Sequence, residues 1–214
     1  MLIDQSAETV ESAETAETAE TAETAETVSA EAGRTAAGGT VWLTGLSGAG
    51  KTTVALAVRE RLAQTGSDVR VELLDGDELR DHLSPGLGFT KAERDAHVTR
   101  VGYLARLLAR NGVLVLVPVI APYAQTRERI RDEHAAEGTP YALVYVSTSV
   151  DECARRDVKG LYAAQAEGRI SHLTGVDDPY EAPATPDLDL DTTDIDTHEA
   201  ADRVIALLRE RGML

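Results

Sequence analysis

The chain has 214 residues, 37 Asp and Glu against 21 Lys and Arg, a formal net charge of −16 and one cysteine, Cys153. This length allows one or two domains, the acidic balance argues against a nucleic-acid partner, which needs basic surface, and a single cysteine excludes an internal disulfide. The start Met1-Leu2-Ile3-Asp4-Gln5 has neither the basic region nor the apolar run of a secretory signal, and Val113 to Pro122 is too short to span a bilayer, so no membrane partner and a cytoplasmic location are expected.

Residues 1–38 differ from the rest. Ala-Glu-Thr recurs five times in succession from Ala13 to Thr27, and nine acids stand against Arg34 alone. A three-residue repeat drifts around a helix with a 3.6-residue period, so no apolar stripe forms. The acids repel one another, and the composition predicts a disordered acidic low-complexity tail without a core. The folded domain is expected to span residues 39–214.

Thr40 to Thr44 reads as a short buried strand, and Thr53 to Ala63 has the apolar spacing of a helix. Between them stands Gly45-Leu46-Ser47-Gly48-Ala49-Gly50-Lys51-Thr52, a complete phosphate-binding loop in its proper strand–loop–helix setting. Its glycines let main-chain amides approach phosphate oxygens at a helix N-terminus. Lys51 is placed to reach the β- and γ-phosphates, and the Thr52 hydroxyl to ligate Mg²⁺. The motif alone specifies a nucleoside triphosphate without choosing between kinase, ATPase and GTPase.

Val69 to Leu74 is a second strand ending in Asp75-Gly76-Asp77. Ligands of open parallel sheets bind at the carboxyl ends of strands. One of these carboxylates can position Mg²⁺ through water, and the other can take a proton from an acceptor hydroxyl. Glu78 to Leu83 predicts a short helix and Lys91 to Asn111 a long amphipathic one, with Val98, Val101, Leu104, Ala105 and Leu108 inward. Arg94, His97 and Arg100 share a neighbouring face, whose plain account is solvation. A buried strand over Val113–Val119, a helix over Gln125–Ala136, a strand over Tyr141–Val146 and a helix from Val150 follow. Further helical chain runs to Gly168, then come a loop at 173–183 with the composition of a ligand cover, a strand at Leu188–Leu190 and a closing helix from His198 to Arg211. The alternation predicts an α/β fold of three layers, the P-loop NTPase type, with a mostly five-stranded parallel sheet flanked by helices and a lid-like loop near 159–183.

From Val41 to Leu208 the chain resembles the adenylyl-sulfate kinases, which move phosphate from ATP to the 3′-hydroxyl of adenosine 5′-phosphosulfate. The match includes the phosphate loop through Thr53, Leu74-Asp75-Gly76-Asp77-Glu78-Leu79-Arg80, Leu87-Gly88-Phe89, Glu93-Arg94 and Pro122-Tyr123, and its far more specific stretches are Lys159-Gly160-Leu161-Tyr162 and Thr174 to Pro183. The resemblance implies ATP contacts along Gly45–Thr53 and at Arg156, Mg²⁺ as cofactor held by Thr52 and Asp75, and Asp77, Lys51 and Asp75 as the catalytic group. It implies an acceptor site of Arg80, Phe89, Arg94, His97, Ile120, Lys159 and Leu173. In it, Arg80 and Arg94 hold the phosphosulfate end and Phe89 stacks on adenine. Family members are often dimers, so a homodimer is implied as well. Three positions depart from the family pattern. His97 stands for the usual Asn, Leu173 for a second stacking Phe, and Ala121 for a Ser that some members phosphorylate. The first two touch the acceptor pocket and keep open a related kinase with another nucleotide or small hydroxylated metabolite as acceptor. A non-catalytic nucleotide switch is the third reading; no Asn-Lys-x-Asp guanine motif supports it.

Overall fold

The computed structural model describes residues 38–66 and 68–214. The predicted character of residues 1–37 lies outside them. Five parallel strands, β1 (Gly39–Thr44), β2 (Arg70–Leu73), β3 (Val113–Val117), β4 (Tyr141–Tyr145) and β5 (Leu188–Asp189), form one sheet in the order β2-β3-β1-β4-β5. The helices are α1 (Lys51–Gln64), α2 (Gly76–Leu83), α3 (Lys91–Ala109), α4 (Ala124–Ala136), α5 (Val150–Arg156), α6 (Leu161–Ala166) and α7 (Thr197–Glu210).

Alternation along β1 divides the core. Val41 and Leu43 face α1 and α7, packing with Val54, Val58, Val204 and Leu208. Trp42 faces the opposite side, with Val98, Val101 and Ala105 of α3 and Ile130 of α4. Period-two side-chain placement in a strand buried on both faces requires this split. The result is the expected three-layer P-loop NTPase fold, and none of its described helices is long and apolar enough to cross a membrane.

Two local expectations change. The third strand stops at Val117 rather than Val119. Pro118 has no amide to donate to a ladder, and the Val119 amide turns back to the Val117 carbonyl at 3.0 Å. The polar face of α3 is only partly solvated: Arg100 is exposed, but Arg94 and His97 are buried beside Val98 and Val101, while Leu104 and Leu108 are only half-buried. α3 therefore sits rotated so that Arg94 and His97 face inward, its N-terminus fixed by a reciprocal capping pair between Thr90 and Glu93.

Candidate active site

The loop after the central strand β1 meets the carboxyl ends of β3 and β4, where an open α/β sheet gathers its ligands. A cavity of about 350 Å³ lies there. Ser47, Gly48, Gly50, Lys51, Thr52 and Thr53 form one wall. The other predicted loop residues support it from behind. A Cβ on Gly45, whose φ is +149°, would lie 2.4 Å from the Val146 carbonyl oxygen, so glycine is required there. Ala49 is buried, and its carbonyl accepts the hydroxyls of Thr192 at 2.9 Å and Thr148 at 3.2 Å. Leu46 packs under Gly175 of the distant 173–183 loop.

Lys51 folds back over the loop, donating to the Leu46 carbonyl at 2.7 Å. Burial first, and the neighbouring Lys159 cation second, pull its ammonium down to about 8. A phosphate beside it would favour the charged form again. The Thr52 hydroxyl donates to Asp75 Oδ2 at 3.0 Å, and Asp75 Oδ1 accepts the Asp77 amide at 2.9 Å, capping α2. A hydroxyl and a carboxylate oxygen side by side are hard ligands of the kind Mg²⁺ takes when water and phosphate supply the rest. Among the described residues no three His, Cys, Asp or Glu gather into a metal cage. The donor set thus fits a metal that arrives with its nucleotide.

Asp77 faces the cavity, 74 % exposed, and is paired with Lys159, which the chain after α5 brings across from residue 82 positions away. Exposed ion pairs of this kind contribute little and exchange readily. Arg80, Phe89, Arg94, His97 and Ile120 complete the far wall. The Arg80 guanidinium lies 4.4 Å from the centre of the Phe89 ring and donates to the Gly88 carbonyl. Burial and the nearby Arg94 lower its pKa from the ordinary arginine value. Arg94 is more committed. It donates to Phe89 O at 2.7 Å, Thr174 Oγ1 at 2.8 Å, His172 O at 2.5 Å and Asp178 Oδ2 at 3.1 Å. Four of its five N–H groups are thus engaged, three of them holding the 172–178 turn, and at most one is left for an anion.

His97 is buried, with Nδ1 2.9 Å from the Ser84 hydroxyl. Burial, then Arg80 and Arg100, push its pKa down to about 4, so it is neutral at physiological pH. Leu173 is the exception among the predicted acceptor residues. It is 7 % exposed and lies outside the cavity lining, so among the lining residues only Phe89 offers a phenyl face. Of Arg155-Arg156-Asp157, only Arg156 lines the site. Arg155 pairs with Glu152 in solvent, and Asp157 caps α6 through the amides of Tyr162 and Ala163. Arg156 borders a second recess of about 180 Å³, shared with Gly50 and Thr53 and closed by Thr192, Ile195 and Asp196. It donates to the Thr192 hydroxyl and carbonyl at 2.9 and 2.8 Å.

Sequence reasoning missed Thr192, which follows β5 at the same sheet edge; its place at a strand's carboxyl end was the available signal. It also missed Tyr162, whose hydroxyl donates to the Ser47 carbonyl at 2.9 Å and ties the lid to the phosphate loop. For the stretch 118–123 the sequence offers Ile120 as an acceptor residue and Ala121 without a hydroxyl, but not its backbone conformation. Ala121 there has φ +44°, a left-handed conformation costing a non-glycine residue about 1–2 kcal/mol.

A phosphate loop, a carboxylate pair at the next strand end and facing guanidiniums, all on one parallel sheet, define a P-loop phosphotransferase. The family model for adenylylsulphate kinase matches residues 37–191, and the chain belongs to the adenylyl-sulfate kinase family. It is 49 % identical over 179 residues to the adenylyl-sulfate kinase of Myxococcus xanthus, covering 83 % of this chain and 95 % of that one. The corresponding protein of Picosynechococcus is 44 % identical over 177 residues, covering 83 % and 97 %. The APS kinase of Mycobacterium tuberculosis, solved in complex with AMPPNP and APS, superposes with a TM-score of 0.77 at 45 % identity, covering 81 % of this chain and 99 % of that one. A gluconokinase of Sinorhizobium meliloti, at 20 % identity and a TM-score of 0.52, shares the fold alone.

Proposed function

We propose that this protein transfers the γ-phosphate of ATP to the 3′-hydroxyl of adenosine 5′-phosphosulfate. One observation carries the reading. A complete phosphate loop and Asp77 line the same cavity, with Arg80, Phe89 and His97 on its opposite wall. The ATP triphosphate lies along Gly48–Thr53, and its base enters the recess beside Arg156 and Thr192. Mg²⁺, held by Thr52 and, through water, by Asp75, would supply positive charge to the phosphate oxygens. Lys51 neutralises charge on the terminal phosphate as it leaves the diphosphate. Asp77, released from Lys159, orients the 3′-hydroxyl and takes its proton. Arg80 grips the phosphosulfate as a planar fork, Phe89 stacks on the adenine, and the neutral His97 meets the acceptor as a hydrogen-bonding group without charge. Ala121 has no hydroxyl, so phosphate passes directly in line with no phosphoserine at that position.

A second reading, a different nucleotide or small hydroxylated acceptor, draws on the lack of a second phenyl face opposite Phe89 at the cavity. A coupled assay separates the two. Purified protein with ATP and Mg²⁺ should phosphorylate adenylyl sulfate in preference to adenosine 5′-phosphate and to non-nucleotide alcohols. Equal or better turnover of a non-sulfated acceptor would overturn the first reading, and so would activity that is indifferent to chelation of Mg²⁺.

A further inference from the structure

The wall of the cavity between Pro118 and Pro122 contains the left-handed Ala121, which is 1 % exposed and has no glycine to ease it. A conformation of this kind persists only where its surroundings over-determine it. Here the surroundings converge on Arg127 of α4. This side chain is 3 % exposed and carries its charge into the interior. Nη1 donates to the Ala121 carbonyl at 2.6 Å, and Nη2 to the Glu181 carbonyl at 2.5 Å, at the end of the lid-like segment. Glu181 is stitched to the same wall twice more. Its amide donates to Pro122 O at 2.9 Å, and its carboxylate accepts the first amide of α4, that of Ala124, at 2.7 Å. The preceding residue, Tyr180, bonds through its hydroxyl to that of Thr44 at 2.9 Å, and Thr44 donates to the Ile120 carbonyl at 2.5 Å. Two consecutive wall carbonyls, Ile120 and Ala121, are thus each held from outside the cavity, Ile120 by Thr44, which also meets Tyr180 of the lid, and Ala121 by Arg127, which also meets Glu181.

We infer that Arg127 is a positioning residue for the acceptor: its guanidinium holds Ala121 in the left-handed turn that shapes the acceptor wall and fixes the end of the lid to it. It lies outside the cavity lining and touches neither the phosphate loop nor the carboxylate pair, so its effect is confined to the acceptor side. The inference rests on the proposed activity, and the test separates the two.

Arg127→Met removes both charge-assisted hydrogen bonds and should raise the KM for adenylyl sulfate about tenfold or more, with the KM for ATP unchanged. Ala121→Gly placed in the Arg127→Met background should recover most of that loss, because glycine enters the left-handed region without being held there. A residue that merely filled space in α4 would not be rescued by a change on another element. Equal losses for both substrates, no loss, or no rescue by glycine would each overturn the inference. Should Arg127→Met fail to fold, Arg127→Lys is read the same way, since a point cation cannot reproduce the two-pronged contact. If the wild-type protein does not phosphorylate adenylyl sulfate, the functional reading falls alone. The positioning claim is then decided by hydrogen exchange in the protein by itself. The amides of Glu181 and Ala124 should exchange faster in Arg127→Met, while that of Gly175, in the turn held by Arg94, keeps its wild-type rate; unchanged exchange at Glu181 and Ala124 would overturn it.

Discussion

The two walls of the cavity are built on different principles. The proposed ATP wall is built mainly on one continuous stretch, Gly45 to Thr53, where main-chain amides at the start of α1 form a fixed array beside the Lys51 and Thr52 side chains. The acceptor wall draws on residues around positions 80, 94, 120, 159 and 172–181, and its working groups are long side chains already paired within the protein. Arg80 rests on Phe89, Arg94 holds the 172–178 turn, and Asp77 is bound to Lys159. A grip made of backbone is pre-organised and needs no rearrangement when phosphate arrives. One made of paired side chains must trade one set of partners for another. On the proposed reading, substrate discrimination belongs to the acceptor wall, where the trade can succeed or fail.

Substitutions can break this contrast or sharpen it. The largest effect is expected from Asp77→Asn, which keeps the size of the side chain and removes the proton acceptor. Its kcat should fall by about 10²–10⁴-fold while ATP titration gives an unchanged affinity. Weakened ATP binding would instead make Asp77 part of the nucleotide wall. Next, Arg80→Ala should raise the KM for adenylyl sulfate by about 10- to 100-fold, the worth of one lost charge-assisted contact, and leave that for ATP unmoved. A parallel rise for ATP would erase the division between walls.

A smaller effect is expected at Leu173. Because the side chain is buried outside the cavity, Leu173→Phe should overpack its site and lower stability by about 1–3 kcal/mol, seen as a reduced Tm, without tighter acceptor binding. Tighter binding with an undiminished Tm would mean that this residue reaches the adenine after all. The smallest effect is a matter of pH. His97 is held neutral in the native protein down to about 4, while in the unfolded chain it protonates near the ordinary value of about 6.5. As pH falls from about 6.5 toward 4, the unfolded chain takes up this proton first, and stability declines across that window before levelling off. His97→Asn should be less sensitive to pH there, measured as the wild-type minus variant difference in denaturant midpoint. His134, whose pKa burial also lowers, contributes equally to both proteins and drops out of that difference.

Much of the site was legible in the linear chain where function follows from local backbone chemistry. Residues 45–53 were readable because a strand, a glycine-rich turn and a helix start are neighbours in sequence. Asp75 and Asp77 were readable because they end the next strand. Arg94 and His97 illustrate the limit. Helical spacing put them on one face but could not say whether water or residues 84, 172, 174 and 178 lay against it. Leu173 was assigned to the pocket by resemblance, yet the 173–178 turn folds it inward, with its carbonyl accepting the amides of Val176, Asp177 and Asp178.

The sequence by itself determined the layered parallel sheet, the phosphate grip and the carboxylate pair, because each depends on hydrophobic period, glycine placement or strand ends within a few residues of one another. Only the tertiary structure decided how the acceptor side is held: that Lys159 meets Asp77, that Arg94 fastens the turn over the cavity, and that Arg127 joins Ala121 to Glu181. Apart from the Arg127–Ala121 bond, which spans six positions, those contacts link residues 54 to 84 positions apart. No local preference of the chain encodes them; they exist because packing on the two faces of the sheet brings these segments to one edge.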